Sequence, residues 1–305
     1  MIFLAACIAE PPPAAEPPPA AEPPPAAEPP AESAPSSGLT WVDGRRICSL
    51  GIDRLTGDYG QFEASGLTVA DERLWVVFDN SGRLLSLTPE LTDARLTTTE
   101  RDGDHEAITA AEARLLIADE PGTVVPFIDG AYGEPQPVAV ELKDNKGIEG
   151  LAWADCQKTL LALCETGCTD GPLLALTADS GSWSAAPVPL PVEMKDYAGL
   201  ALHAEESCPS TYTLAVLSQK SAALWIGPLS FADGRWQTGE GEVMPLPRDA
   251  DGEKIYTSAE GVAFLSADRL AVVTDSEGKQ PPCAPAEHPP TSIAHADQSV
   301  HIFQR

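Results

Sequence analysis

Basic residues are scarce in this 305-residue chain: 19 Lys+Arg stand against 46 Asp+Glu, a net charge of −27. A surface of that sign repels phosphate backbones and anionic lipid headgroups, which excludes nucleic-acid wrapping and charge-driven membrane binding. Long apolar runs are also missing; no stretch reaches the roughly 18 residues that a spanning helix needs. Neither Cys-x-x-Cys nor His-x-x-x-His spacing occurs, so nothing points to a zinc site. No helical period of any length is present. The chain does have 30 prolines, 24 glycines and 43% apolar residues, enough for a globular core of 200 or more residues. Seven cysteines are many for a reduced cytosolic protein and point to export into an oxidising compartment.

Much of the proline lies in residues 11–32, a six-residue repeat of Glu-Pro-Pro-Pro-Ala-Ala. Proline fixes φ and lacks a donor, so this stretch reads as a polyproline II spacer. Extended at about 3.1 Å per residue, it reaches on the order of 80–90 Å from Cys7 to the domain. Ahead of it, Leu4-Ala5-Ala6-Cys7 resembles a bacterial lipobox, whose cysteine is lipidated. Only six residues precede Cys7, without a basic region. The resemblance implies an extracytoplasmic lipoprotein of the bacterial outer membrane, periplasm or cell surface, touching the membrane only through Cys7; the alternative is an ordinary N-terminus with one unpaired cysteine. The expected organisation is 1–7 leader-like, 8–40 tether and 41–305 folded domain.

A small-residue turn followed by an apolar strand recurs five times, at Ser65-Gly66-Leu67, Glu106-Ala107-Ile108, Glu149-Gly150-Leu151, Ala198-Gly199-Leu200 and Glu260-Gly261-Val262. The central small residues are 41, 43, 49 and 62 positions apart, the range of four-stranded propeller blades. A second short apolar strand follows each, near 73–79, 114–119, 159–165, 213–218 and 269–275. Third strands are expected near 83–87, 123–128, 173–177 and 222–226, and fourth strands near 94–99, 136–142, 184–189 and 241–246. This pattern predicts an all-β fold, a β-propeller of five four-stranded blades. Six blades are the alternative, since the longest step has room for another. The last repeat is one strand short, and the segment Arg46–Asp53 is expected to fill it by pairing with Ser299–Gln304, closing the ring through the two ends of the domain. Six cysteines in the domain allow fifteen pairings. Cys164 with Cys168 is the simplest local closure. Cys156 and Cys208 occupy equivalent turns of neighbouring blades, and Cys48 and Cys283 both belong to the closing blade.

Asn145-Lys146-Gly147-Ile148-Glu149-Gly150-Leu151-Ala152, followed by an apolar strand ending in Glu165, resembles the central signature of the esterase-like phytase domain family. Asp104-His105-Glu106-Ala107-Ile108 with Asp119-Glu120-Pro121-Gly122 is similar to an earlier pair in that family, and Ser65-Gly66-Leu67 with Asp79-Asn80-Ser81-Gly82 to its opening pair. Ala107 departs from the usual glycine, and the fourth repeat has Tyr197-Ala198-Gly199 without a glutamate. The SdiA-regulated propellers are the second resemblance. The family name implies phosphoester or ester hydrolysis by an exported domain.

In a propeller, the turns entering first strands and leaving second strands converge at one mouth of the central channel. Entering turns bring Glu63, Ser65, His105, Glu106, Glu149, Tyr197 and Glu260; leaving turns bring Asp79, Asn80, Asp119, Glu120, Glu165, Ser218, Gln219, Lys220, Asp275 and Glu277. Converging carboxylates repel unless protonated or bridged by a cation. Oxygen ligands favour Ca²⁺ or Mg²⁺, so a Ca²⁺ site on Glu106, Glu149 and Glu260 is expected. Ser65, Asp79, Asn80, Asp119, Glu120, Glu165 and Asp275 would face a ligand. His105, Glu149 and Lys220 are the candidates for acid–base work or anion contact. In the competing reading these glutamates merely pin neighbouring turns by hydrogen bonds. No Gly-x-Ser-x-Gly elbow and no Arg-His-Gly-x-Arg signature occurs, which leaves serine-esterase and histidine-acid-phosphatase mechanisms without support. Asp249-x-Asp251-Gly252-Glu253 is a faint Ca²⁺-loop pattern without EF-hand spacing. His203, His295 and His301 read as structural. The long segment Glu277–Gln298 is expected to overhang the same mouth. The expected function is a monomeric, cation-dependent phosphoester or ester hydrolase acting on a small phosphorylated or ester ligand. The alternative is a non-catalytic ligand- or protein-binding propeller.

Overall fold

The computed structural model describes residues 38–51, 63–99, 101, 103–120, 122–142, 146–166, 168, 171–275 and 298–305. It is an all-β propeller; the only helix among these residues is a 3-10 turn, Ile47–Leu50. The chain begins with β1 (Thr40–Arg46). A first unit follows: β2 (Ala64–Ala70), β3 (Arg73–Phe78), β4 (Ser81–Leu87) and β5 (Arg95–Thr97). The second holds β6 (His105–Ala111), β7 (Arg114–Asp119), β8 (Thr123–Ile128), a short flap β9 (Ala131–Tyr132) and β10 (Gln136–Ala139). The third is β11 (Ile148–Ala154), β12 (Thr159–Cys164), β13 (Leu173–Asp179) and β14 (Ser182–Val188). The fourth is β15 (Tyr197–His203), β16 (Thr211–Ser218) and β17 (Ala223–Ala232), with two short strands, β18 (Arg235–Thr238) and β19 (Glu242–Pro245), sharing the edge of β17. The last is β20 (Ala259–Ser266), β21 (Arg269–Thr274) and β22 (Ser299–Gln304).

Within each unit the strands pair antiparallel in chain order, and β10 also runs parallel to β14 over two residue pairs, joining the second and third units at their outer edge. The innermost strands form a closed circuit: β2 packs on β6, β6 on β11, β11 on β15, β15 on β20 and β20 on β2. Buried apolar side chains fall into five clusters, each bridging two neighbouring units. Every sheet thus buries both faces, which is why a second strand such as Thr159–Cys164 is buried along its whole length and mostly apolar. The long step from Gly199 to Gly261 is taken up by β15–β19 and a loop with one isolated bridge, Arg248 to Lys254.

Closure occurs as expected, but with a different segment. β1 pairs with β22 from Thr40–Gln304 to Arg46–Ser299. The strand therefore ends where Arg46–Asp53 was expected to begin. Ile47 and Cys48 are buried by a 3-10 turn that Gly51 terminates at φ 83°. Two of the anticipated disulfides form, Cys164–Cys168 and Cys156–Cys208, the latter linking the third and fourth units across a Cα–Cα distance of 5.4 Å. Cys48 is disulfide-bonded; its expected partner, Cys283, lies outside the described residues.

The recurring small residue is explained by the circuit of inner strands. A Cβ added to Gly150 would lie 2.7 Å from the backbone nitrogen of Leu200, and one on Gly261 would lie 2.7 Å from that of Leu67. At these two positions a side chain would meet the backbone of the next unit, whereas the second unit accommodates Ala107 at the equivalent place. Gly150→Ala and Gly261→Ala are each expected to cost about 1–3 kcal/mol by overpacking against backbone. Gly38→Ala, with nothing within 4 Å, should be neutral. Denaturant unfolding measures all three, and equal stability of the three variants would refute the close-approach account.

Candidate functional site

The same register produces the site. In every unit the pairing of first and second strands slips at the small-residue turn: between His105 and Ala107, Ile148 and Gly150, Tyr197 and Gly199, Ala259 and Gly261, and Ala64 and Leu67. These are β-bulges, which re-aim side chains. The bulged residues are Ser65, Glu106, Glu149, Ala198 and Glu260, and all five line one pocket of about 190 Å³. Two residues before each bulge, a backbone carbonyl accepts from the N–H of the residue leaving the second strand. The pairs are Glu63 with Asp79, Asp104 with Glu120, Gly147 with Glu165, Asp196 with Gln219, and Ser258 with Asp275. The mouth therefore has an inner tier at the bulges and an outer tier at these turns.

Eight carboxylates line the pocket: Glu63, Asp79, Glu106, Glu149, Glu165, Asp196, Glu260 and Asp275. Beneath it the channel narrows to a waist of about 10 Å³ lined by Leu67, Ile108, Leu151, Leu200 and Val262. A further cavity, lined among others by Thr68, Thr109, Trp153 and Phe264, shares Leu67, Leu151, Leu200 and Val262 with this waist. The acidic pocket stands at one end of this channel.

Its charges are only partly compensated. Lys146 pairs with Glu165, and Lys220 Nζ lies 2.6 Å from Asp196 Oδ2. Gln219 donates to Glu260, Asn80 Nδ2 to Glu63 Oε2 at 3.1 Å, and Ser65 Oγ to Glu106 Oε2 at 2.9 Å. Burial, a hydrogen bond shared with Asp104 and the charge of Glu106 push the Asp79 carboxyl up to about 9. Burial and the Glu149 charge push Glu106 up to about 8. Burial with Glu165 and Glu260 does the same to Glu149, also to about 8. Burial and Asp275 hold Glu260 well above the usual carboxylate range.

Several expected site residues meet here. Ser65, Asp79, Glu106, Glu149, Glu165, Glu260 and Asp275 line the well. The candidate metal triad is divided, however. Among the described residues the one tight set of ligand atoms is Asp79, Asp104 and Glu106, with a carboxylate oxygen from each within 4.8 Å of the others. Glu149 and Glu260 belong to the well but not to that set. Asn80, Glu120 and Lys220 stand on the rim.

His105 and Asp119 do not face the pocket. Side chains alternate along a strand, so flanking Asp104 and Glu106 turn to the mouth while His105 turns into the sheet. It is fully buried, with Nδ1 3.3 Å from Asp119 Oδ1 and Nε2 2.9 Å from Tyr132 Oη. Burial raises Asp119, yet hydrogen bonds from His105 and Arg101 bring it below the usual range. Asp249 is likewise occupied, accepting the N–H groups of Asp251 and Glu253 at 3.0 and 2.8 Å. Cys7, Asn145, Pro121, Glu277 and His295 lie outside the described residues. Sequence reasoning passed over Asp104 and Asp196 as ligands, although each stands two residues before a bulge, where Glu63 also stands.

Glu106 and Glu149 have ordinary values of 4.5, and their folded values near 8 mean that the native state binds protons more tightly than the unfolded chain. Their contribution to stability is present below pH 4.5 and lost as pH rises towards 8. In EDTA the melting temperature should therefore fall from pH 5 to pH 9, and fall less in Glu106→Gln and Glu149→Gln. A profile unchanged by both substitutions would refute the assignment of raised values to these groups.

No protein-family model matches the chain, and no curated protein matches it. Solved propellers do. Glutaminyl cyclase from Myxococcus xanthus is similar with a TM-score of 0.53 at 12% identity, over 87% of this chain and 96% of that one. Virginiamycin B lyase from Staphylococcus aureus follows at 0.43 and 9%, over 86% and 99%. For a streptogramin B lyase the figures are 0.40 and 11%, over 79% of this chain but 65% of that chain's length. At such identities the likeness to the cyclase extends to the fold alone: this chain is a β-propeller.

Proposed function

We propose that this is an exported five-bladed propeller that hydrolyses small phosphoesters or esters in its acidic well, with a divalent cation, Ca²⁺ by preference, as its partner. The observation that carries the reading is the repeated bulge, which turns three glutamates and their outer-tier neighbours into one acidic well with few basic partners among the described residues. The donor set fits the ion. Asp79, Asp104 and Glu106 offer only carboxylate oxygens, the donors of hard cations. A bound divalent cation would neutralise these groups and polarise a phosphoryl or carbonyl oxygen. Glu149, pushed up to about 8, can take or release a proton near neutral pH. Gln219 holds Glu260 in place, and Lys220 and Lys146 on the rim are positioned to meet the anionic part of a ligand. The resemblance of the Lys146–Ala152 segment to the phytase-like family supports the reaction class. The two disulfides support export, and the proline-rich segment behind Cys7 supports a lipid-anchored tether.

One observation favours the alternative, a binding module. His105, the expected general acid, is buried away from the well, and Ser65 is committed to Glu106.

Addition of Ca²⁺ at a hundredfold excess over Kd should stabilise the chain by about 2.7 kcal/mol. The gain should vanish in the double variant Asp79→Asn/Glu106→Gln. Hydrolysis of p-nitrophenyl phosphate or p-nitrophenyl acetate should require Ca²⁺ and be lost in Glu149→Gln. Absence of a thermal shift in the wild type would overturn the cation reading. A shift without turnover of either substrate would decide for the binding module.

A further inference from the structure

We infer that the buried group His105–Asp119–Tyr132–Arg101 is a positioning device that sets the affinity of the Asp79–Asp104–Glu106 set for a divalent cation. This inference rests on the cation reading of the well.

The first observation is its place in the repeat. Just before each bulge, a first-strand residue faces a second-strand residue across the sheet. In four units these pairs are Ala64–Phe78, Ile148–Cys164, Tyr197–Ser218 and Ala259–Thr274. None brings a carboxylate or an imidazole. In the second unit alone the pair is His105–Asp119, with His105 at 0% and Asp119 at 8% exposure. Burying such a pair costs stability relative to well-packed apolar side chains. It stands in the unit that supplies two of the three clustered carboxylates, on either side of His105.

The second observation is what the pair holds. Asp119 Oδ1 accepts the backbone N–H of Asp104 at 3.0 Å, and Oδ2 accepts Arg101 at 2.5 Å. The carbonyl of Asp104 accepts Glu120 N–H at 3.0 Å, so this exposed residue is fastened from both sides of its backbone. His105 N–H donates to the carbonyl of Asp79 at 3.2 Å, which fastens the ligand from the first unit to the same strand. The imidazole is braced in turn by Tyr132, whose hydroxyl donates to the carbonyl of Gly82 at 3.1 Å. Arg101 lies over the Tyr132 ring, 5.8 Å from its centroid. Carboxylates from two units are thus tied to one buried point at the seam between them. Groups behind a metal's ligands fix their orientation, and their loss typically costs about 10–100-fold in affinity.

Titration calorimetry of the full-length chain with Ca²⁺ tests this. Tyr132→Phe removes one hydroxyl from the brace, and His105→Gln removes the imidazole. Tyr212→Phe is the control: it deletes a hydroxyl that donates to Gln157 at 2.6 Å, away from the well. Kd should rise about ten-fold or more in Tyr132→Phe and His105→Gln, and stay within two-fold of wild type in Tyr212→Phe, whatever their melting temperatures. Should His105→Gln fail to fold, Tyr132→Phe decides alone. A wild-type Kd in Tyr132→Phe, or an equal weakening in Tyr212→Phe, would overturn the positioning role and leave the cation site standing. No Ca²⁺ binding by the wild type would remove the cation reading and this inference with it.

Discussion

The structure depends on how closely five inner strands approach one another. Gly66, Ala107, Gly150, Gly199 and Gly261 lie at one level of the circuit, and the glycines there face the backbone of the next unit with no room for a side chain. That contact brings the sheets near enough for five apolar clusters to fill the seams. It also narrows the channel to the waist where Leu67, Ile108, Leu151, Leu200 and Val262 meet. A side chain added at any of these four glycines would press on the neighbouring unit. Fold and site therefore share one constraint.

The bulge beside each small residue converts that constraint into chemistry. A regular ladder would alternate side chains without interruption, whereas the slipped register sends Glu106, Glu149 and Glu260 to the axis and leaves His105 in the sheet. Ser65 and Ala198 occupy the same position in the other two units. The asymmetry follows from residue choice on a repeated backbone. The clustered Asp79, Asp104 and Glu106 lie over the first and second units, and the two lysine-paired carboxylates over the third and fourth.

The sequence pattern disclosed the repeat, the closing of the ring by its ends and the convergence of Glu106, Glu149 and Glu260, because each depends on local periodicity. Cys156–Cys208 was legible for the same reason, as equivalent turns of adjacent units must face each other. Two features were not. Arg46–Asp53 resembled a strand because Ile47, Cys48 and Leu50 are apolar; their burial is met by a turn instead, and the pairing falls on Thr40–Arg46, where alternation is less regular. The tight set with Asp79 and Asp104 depends on distances between units, which no single segment encodes.

Net charge bears on how such a well would work. At −27 the surface field concentrates cations and repels anions before any contact forms. Within the well the raised carboxylates either hold protons or await a counter-charge. Lys146 and Lys220 are engaged by Glu165 and Asp196, so without a cation the well would offer an approaching anion little net attraction. Neutralising the first- and second-unit carboxylates removes that barrier on one side of the mouth and leaves the lysines on the other. Under the proposed function this imposes an order: the divalent cation enters first, and an anionic ligand is admitted only to the loaded site.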